Sequence, residues 1–126
     1  MMSFDKGVKG YLEVTVLSEH TATAMGSGLL DVFSTPSMVA MMEKTASLSV
    51  QEYLEEGESS VGAEISVRHL KPTAIGDVLR LESTVLKVEG RKITFLIRAW
   101  DTHGKIGEAT HVRYVIDIEK FLQKIG

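Results

Sequence analysis

A carboxylate, an imidazole and a hydroxyl stand in this sequence where the surrounding pattern is apolar or structural. Together they have the means to move protons and attack a carbonyl. Glu43 is the first. Thr35-Pro36 to about Glu56 reads as one long helix, with proline in its first turn and Gly57 placed to end it. Val39, Ala40, Ala46, Ser47 and Val50 lie three, four or seven positions from Glu43 and share its face. A carboxylate there is expected to be poorly solvated. Burying a charge costs free energy, so such a group is either paired or working. His69 has the parity of Ile65 and Val67 in a strand that must stop before Pro72, which turns its ring toward the helix. Alone it reads as a core histidine satisfied by one hydrogen bond. Beside Glu43 it gains a second reading, because a carboxylate holding an imidazole is the basic unit of general-base or nucleophilic catalysis.

Two further positions belong to the same candidate centre. Thr35 precedes Pro36, where a helix N-cap hydroxyl belongs, and capping alone explains it. A hydroxyl at a helix N-terminus also sits where backbone N–H groups and the helix dipole favour developing negative charge. Gly62, on the strand that carries His69, either lets a backbone N–H approach a substrate carbonyl as an oxyanion donor or marks a sheet bulge.

The elements that must position these groups follow from the patterning. Tyr11 to Leu17 alternates and is rich in β-branched residues, as a first strand does, and a Gly- and Ser-containing stretch, Met25 to Ser34, leads into the helix. After the helix the period changes to two. A strand with Val61, Ala63, Ile65 and Val67 on one face stops before Pro72, and Val78 to Val88, Ile93 to Asp101 and Ile106 to Ile116 read as three more, with turns at Glu89-Gly90 and His103-Gly104. Ile118 to Ile125 reads as a short terminal helix. The central helix is apolar around most of its circumference, through Met38, Val39, Met41, Met42, Ala46, Leu48 and Val50, so it must be covered on several sides. A curved antiparallel sheet of about five strands wrapped around it would do this, giving an α+β architecture. Such a sheet leaves an edge strand in need of a partner, and dimerisation through that edge is the economical solution.

Composition narrows the function. Residues 1–126 read as a single domain. The absence of cysteine removes disulfides, thiolate nucleophiles and thiolate metal sites, and fits a reducing compartment, with cytoplasm the expected location. The opening MMSFDKGVKG carries charges where a signal peptide needs its apolar stretch. The net charge is −3, with Lys and Arg scattered, so neither nucleic acid nor an anionic membrane is an expected partner. His20, His103 and His111 have no metal-site spacing and read as surface or structural residues. Arg68, Lys71, Arg91 and Lys92 offer cations for phosphates, or are simply solvated charges.

The segments VFSTPSMVAMMEKTA and VGAEISVRHLKPTAIGD resemble the fluoroacetyl-CoA thioesterase family of the hotdog fold, in element order over nearly the whole chain. The resemblance implies that the threonine before the central helix, the glutamate within it and the histidine on the following strand are the catalytic group. A glycine on that strand would help to bind the thioester. These fall on Thr35, Glu43, His69 and Gly62. It implies further an acyl-CoA substrate, no metal or redox cofactor, and a homodimer or an assembly of dimers. The enzyme that names the family closes its pocket over the fluorinated acyl group with phenylalanines from the segment before the helix. Here Met25 to Leu30 has none, and Phe33 is the nearby aromatic.

Two rival functions are separable from hydrolysis. A non-catalytic acyl-CoA-binding domain would gain nothing from a buried Glu43, since an apolar acyl chain makes no use of it. A hotdog hydratase would use an Asp/His pair, which is not evident in the matching segment. Neither rival releases free thiol from acyl-CoA.

Overall fold

The structure, a computed structural model, describes residues 4–125. Strand β1 (Lys9–Thr15) leads through a 3-10 turn (Ser18–His20) and a four-residue helix, α1 (Ala22–Met25), to the central helix α2 (Thr35–Gln51). Then come β2 (Glu58–His69), β3 (Val78–Glu89), β4 (Lys92–Asp101), β5 (Gly104–Asp117) and α3 (Ile118–Gln123). The strands form one antiparallel sheet in the order β1-β3-β4-β5-β2, and α2 meets all five of them. This is the long helix wrapped by a five-stranded sheet that the patterning predicts.

Periodicity explains the packing. Leu79, Leu81 and Val85 on β3 alternate with Ile93, Phe95 and Ile97 on β4 to make the inner face, which closes on Met38, Met42, Ala46 and Val50 of α2. Each of these larger side chains contributes about 1.5–3 kcal/mol on leaving water. The helix lies so close to β1 that a Cβ on Gly10 would come within 2.8 Å of the Thr45 carbonyl oxygen, so only glycine fits there.

Two of the boundary differences from expectation have a visible physical cause. Helix α2 ends at Gln51 rather than near Glu56. Beyond Val50 the chain tightens into 3-10-type turns, Tyr53 N–H donating to Val50 O and Leu54 N–H to Gln51 O. Gly57, at φ 86°, then turns it into β2. Strand β1 stops at Thr15, because the next residue has passed the end of its partner. Val16 instead exchanges backbone hydrogen bonds with the turn at Gly76-Asp77.

The two sheet edges are β1 and β2. The middle of β2 is open, with Gly62, Ala63, Glu64 and Ser66 all exposed. Among the described residues, no helix is long and apolar enough to cross a membrane.

Candidate active site

Helix α2 and strand β2 carry the predicted residues at two separate ends of their shared layer. At the first end Thr35 Oγ1 lies 2.8 Å from His69 Nδ1. Thr35 can make this bond because it is not the cap. Ser34 is the N-cap, its Oγ accepting from Ser37 N–H at 3.1 Å and bonding Ser37 Oγ at 2.8 Å. The capping explanation of Thr35 is thereby corrected: its hydroxyl is free of helix duty. His69 is half-buried and packs edge-on against the ring of Phe33, 6.0 Å between centroids. Burial pushes its imidazole below the ordinary histidine value, with a main-chain group at Lys71 acting the other way. Its second nitrogen, Nε2, is buried without a hydrogen-bond partner. A buried polar nitrogen left unpaired is costly, and sites that bind or react are where such costs are found. The pair borders a cavity of about 380 Å³ lined also by Phe33, Pro36 and Lys71.

The second end is built around Glu43 and Gly62. Strand β2 bulges here, with Ala63 as the extra residue between the pairs Gly62–Arg113 and Glu64–Val112. The sequence left bulge and oxyanion donor as alternatives for Gly62. The bulge is present, and the glycine has a second reason. A Cβ at residue 62 would collide with Glu43 Oε2 and stand 3.3 Å from both Arg113 Nη1 and His111 Cε1. Glycine therefore lets the carboxylate lie across the strand.

Glu43 is not buried as the helix pattern predicts. In a single chain its side chain keeps 40% of its exposure, because it opens beside the unpaired edge of β2. It is paired, to Arg113 Nη1 at 3.5 Å, and the arginine side chain is only 8% exposed. Arg113 donates from Nε to Ser60 Oγ at 2.8 Å, from Nη2 to Ser60 O at 3.0 Å and from Nη1 to His111 Nε2 at 3.2 Å. His111 is buried, stacked on Phe95 at 5.9 Å, with Nδ1 bonded to Glu64 O at 2.8 Å. Burial lowers its pKa foremost, and the Arg113 charge lowers it further.

The hydrogen bond expected between Glu43 and His69 does not form within one chain. Glu43 meets Arg113, and His69 meets Thr35. Sequence reading passed over Arg113 and Ser60 and took His111 for surface or structural. The signal was available in the parity of β5, where His111 and Arg113 share the inward face with Ala109 and Val115. Of the other histidines, His20 caps its own turn by accepting from Leu17 N–H at 2.9 Å, and His103 is exposed. A larger hollow of about 750 Å³, bordered by Tyr11, Arg80 and Trp100, touches none of the predicted residues.

A hydroxyl–imidazole pair beside a cavity and an arginine-held carboxylate over a glycine bulge are tools for acyl transfer. Residues 16–119 match the family described as FlK, fluoroacetyl-CoA-specific thioesterase. The chain belongs to this family. The fluoroacetyl-CoA thioesterase of Streptantibioticus cattleyicolor is 38% identical over 95 residues, 75% of this chain and 68% of that protein. A crystal structure of a point variant of the fluoroacetyl-CoA-specific thioesterase superposes with a TM-score of 0.92 at 30% identity, over 99% of this chain and 97% of the other. A hot-dog-like protein from Thermanaerovibrio acidaminovorans superposes with a TM-score of 0.88 at 26% identity, over 95% and 89%. The fold is the hotdog fold, and family membership makes the protein a thioester hydrolase.

Proposed function

We propose that this thioesterase hydrolyses small to medium acyl-CoA thioesters, with Glu43 acting at the acyl carbonyl. The observation that carries the reading is the Glu43 carboxylate, held by one edge of a buried arginine over Gly62, where any side chain would displace it. Attack by Glu43 on the thioester carbonyl forms a mixed anhydride and expels the coenzyme A thiolate. Water then cleaves the anhydride, returning the carboxylate and releasing the acid and one proton. The Gly62 N–H is assigned to the oxyanion, and the Thr35–His69 pair to orienting the carbonyl or the attacking water. Coenzyme A enters as part of the substrate, and the hydrolysis is redox-neutral. The segment from Met25 to Leu30 has no phenylalanine, and Leu29 and Leu30 are 95% and 68% exposed. Aromatic closure over one small acyl group is therefore not built in, and acyl groups larger than fluoroacetyl are expected to turn over. Thiol release from a panel of acyl-CoAs tests this. Release from several members supports the reading, and release from none overturns it in favour of a binding domain. Oxygen-18 water in a single turnover can label the enzyme if Glu43 attacks, when water opens the anhydride at the Glu43 carbonyl, and labels only the product if Glu43 activates water.

The working form we propose is a homodimer through β2, in the cytoplasm, where a chain without cysteine has nothing to lose to reduction. Gly62 and His69 lie six ladder steps apart once the bulge is discounted, about 20 Å of strand, and Thr35 and Glu43 about 12 Å of helix. A two-fold axis between Ile65 and Ser66, passing Val39 on α2, would pair the open β2 edges antiparallel. It would set Glu43 and Gly62 of one copy beside Thr35 and His69 of the second. This also gives the unpaired β2 backbone its partner. Mixing refolded Glu43→Gln and His69→Ala chains distinguishes the geometries. A site shared between copies restores about a quarter of wild-type activity, because half the dimers are mixed and each holds one intact site. Sites contained within single chains restore none.

A further inference from the structure

The Arg113 guanidinium is tied down on every side but one. Its Nε and Nη2 are committed to Ser60, side chain and carbonyl, and its Nη1 is shared between His111 Nε2 at 3.2 Å and Glu43 Oε2 at 3.5 Å. The state of His111 follows from its neighbours. A carbonyl oxygen only accepts, so the 2.8 Å contact with Glu64 O places the proton on Nδ1. Nε2 is then a lone pair facing an obligate donor, which is what the Arg113 contact requires. The neutral ring is held there by stacking on Phe95 and by nearly complete burial. An arginine with a free fork would close on a carboxylate with two parallel hydrogen bonds, occupying both oxygens. Here the fork is spent elsewhere, and the carboxylate meets a single nitrogen at ion-pair distance.

We propose that His111 and Ser60 are positioning residues of the thioesterase: they hold Arg113 back from Glu43, so that the carboxylate is balanced in charge but keeps oxygen lone pairs free for the acyl carbonyl or water. This rests on the reading of Glu43 as the reacting carboxylate. Among the described residues, the charged and titratable groups that meet Glu43 are Arg113 and His111, both from β5. Strand β2 presents the uncharged Gly62, and β4 contributes Phe95 behind His111.

The test compares His111→Phe, which keeps the stack but accepts no hydrogen bond, with His111→Gln, which keeps an acceptor near the Nε2 position and cannot titrate. The readout is the pH profile of kcat/KM with one acyl-CoA, together with kcat and KM at its plateau. In His111→Phe the released Nη1 closes on Glu43. The acidic limb then moves to lower pH by about half a unit or more, and kcat falls about tenfold with KM within about twofold. In His111→Gln the limb stays in place and most of kcat is retained. Ser60→Ala, which frees Nε, shifts the limb in the same direction by less, and serves if His111→Phe does not fold. A limb that stays in place in both His111→Phe and Ser60→Ala overturns the proposal, as does equal loss in the Phe and Gln variants. Wild-type protein that releases no thiol from any acyl-CoA would instead overturn the thioesterase reading on which it rests.

Discussion

The two ends of the α2–β2 layer differ in how complete they are. Around Glu43, every nitrogen of Arg113 has an acceptor, His111 has both nitrogens engaged, and a side chain at Gly62 would displace the carboxylate. Around His69 there is one hydrogen bond to an exposed threonine and a buried nitrogen with no partner. A buried polar network is stable when all its members are satisfied, and a half-satisfied one is costly. The first end is thus a finished device for holding a charge. The second is a device with an open valence, which substrate, water or a second copy can fill. Chemistry that needs both ends must bring them together, and neither end does so by itself.

The largest way to break the contrast is at the carboxylate. Glu43→Gln keeps the shape and removes the charge, and it is expected to lower kcat by a factor on the order of 10² to 10⁴, the range for losing a positioned acid–base or nucleophilic group. Binding of acyl-CoA should persist, as isothermal titration can show. If Glu43 were only a structural partner of Arg113, turnover would survive and melting would carry the change. At the other end His69→Ala is expected to cost less, about 10- to 100-fold. It should also remove the limb of the kcat/KM profile that falls toward acid as His69, its pKa lowered by burial, gains its proton. A limb unchanged in His69→Ala would detach His69 from the reaction.

Much of this molecule was legible before its structure. The long helix was visible because it is apolar nearly all round, and the strands because β-branched residues recur with period two. The Thr35, Glu43 and His69 positions stood out as polar groups against apolar patterns. Boundaries failed where tertiary context decides, as at Gln51, where the chain tightens into 3-10 turns before Gly57. The burial of Glu43 was misjudged because a helix face shows which residues share it and not what covers it. Here the cover ends at the open β2 edge. Arg113 was missed because a long cationic side chain on an alternating strand reads as solvent-facing, and its parity with Ala109 and Val115 carries weight only once Ser60 and His111 are seen to satisfy it. That Ser34, not Thr35, caps α2 depends on one residue of register at a helix end, which sequence patterns do not resolve.

The smallest expected effect concerns stability, and it asks whether the two ends share an electrostatic character despite their difference in completeness. Both histidines have folded-state pKa values below the unfolded value of 6.5, each mainly through burial. For such a group the unfolded chain binds more protons than the folded one as the pH falls below 6.5, so stability rises with pH through that window and declines on acidification. The decline stops once the pH passes below the folded value. Each fully differential proton contributes a slope of at most about 1.4 kcal/mol per pH unit. Urea unfolding of the wild type from pH 7 downward should therefore lose stability beginning near 6.5, before carboxylates enter. His111→Gln removes the contribution of the finished end and His69→Gln that of the open end, each flattening the slope. The larger flattening is expected from His111, which is more deeply enclosed and faces the Arg113 charge. Equal slopes in wild type and both variants would show that neither ring titrates differently on folding. A flattening confined to His69→Gln would place the stronger perturbation at the open end and reverse the contrast between the two.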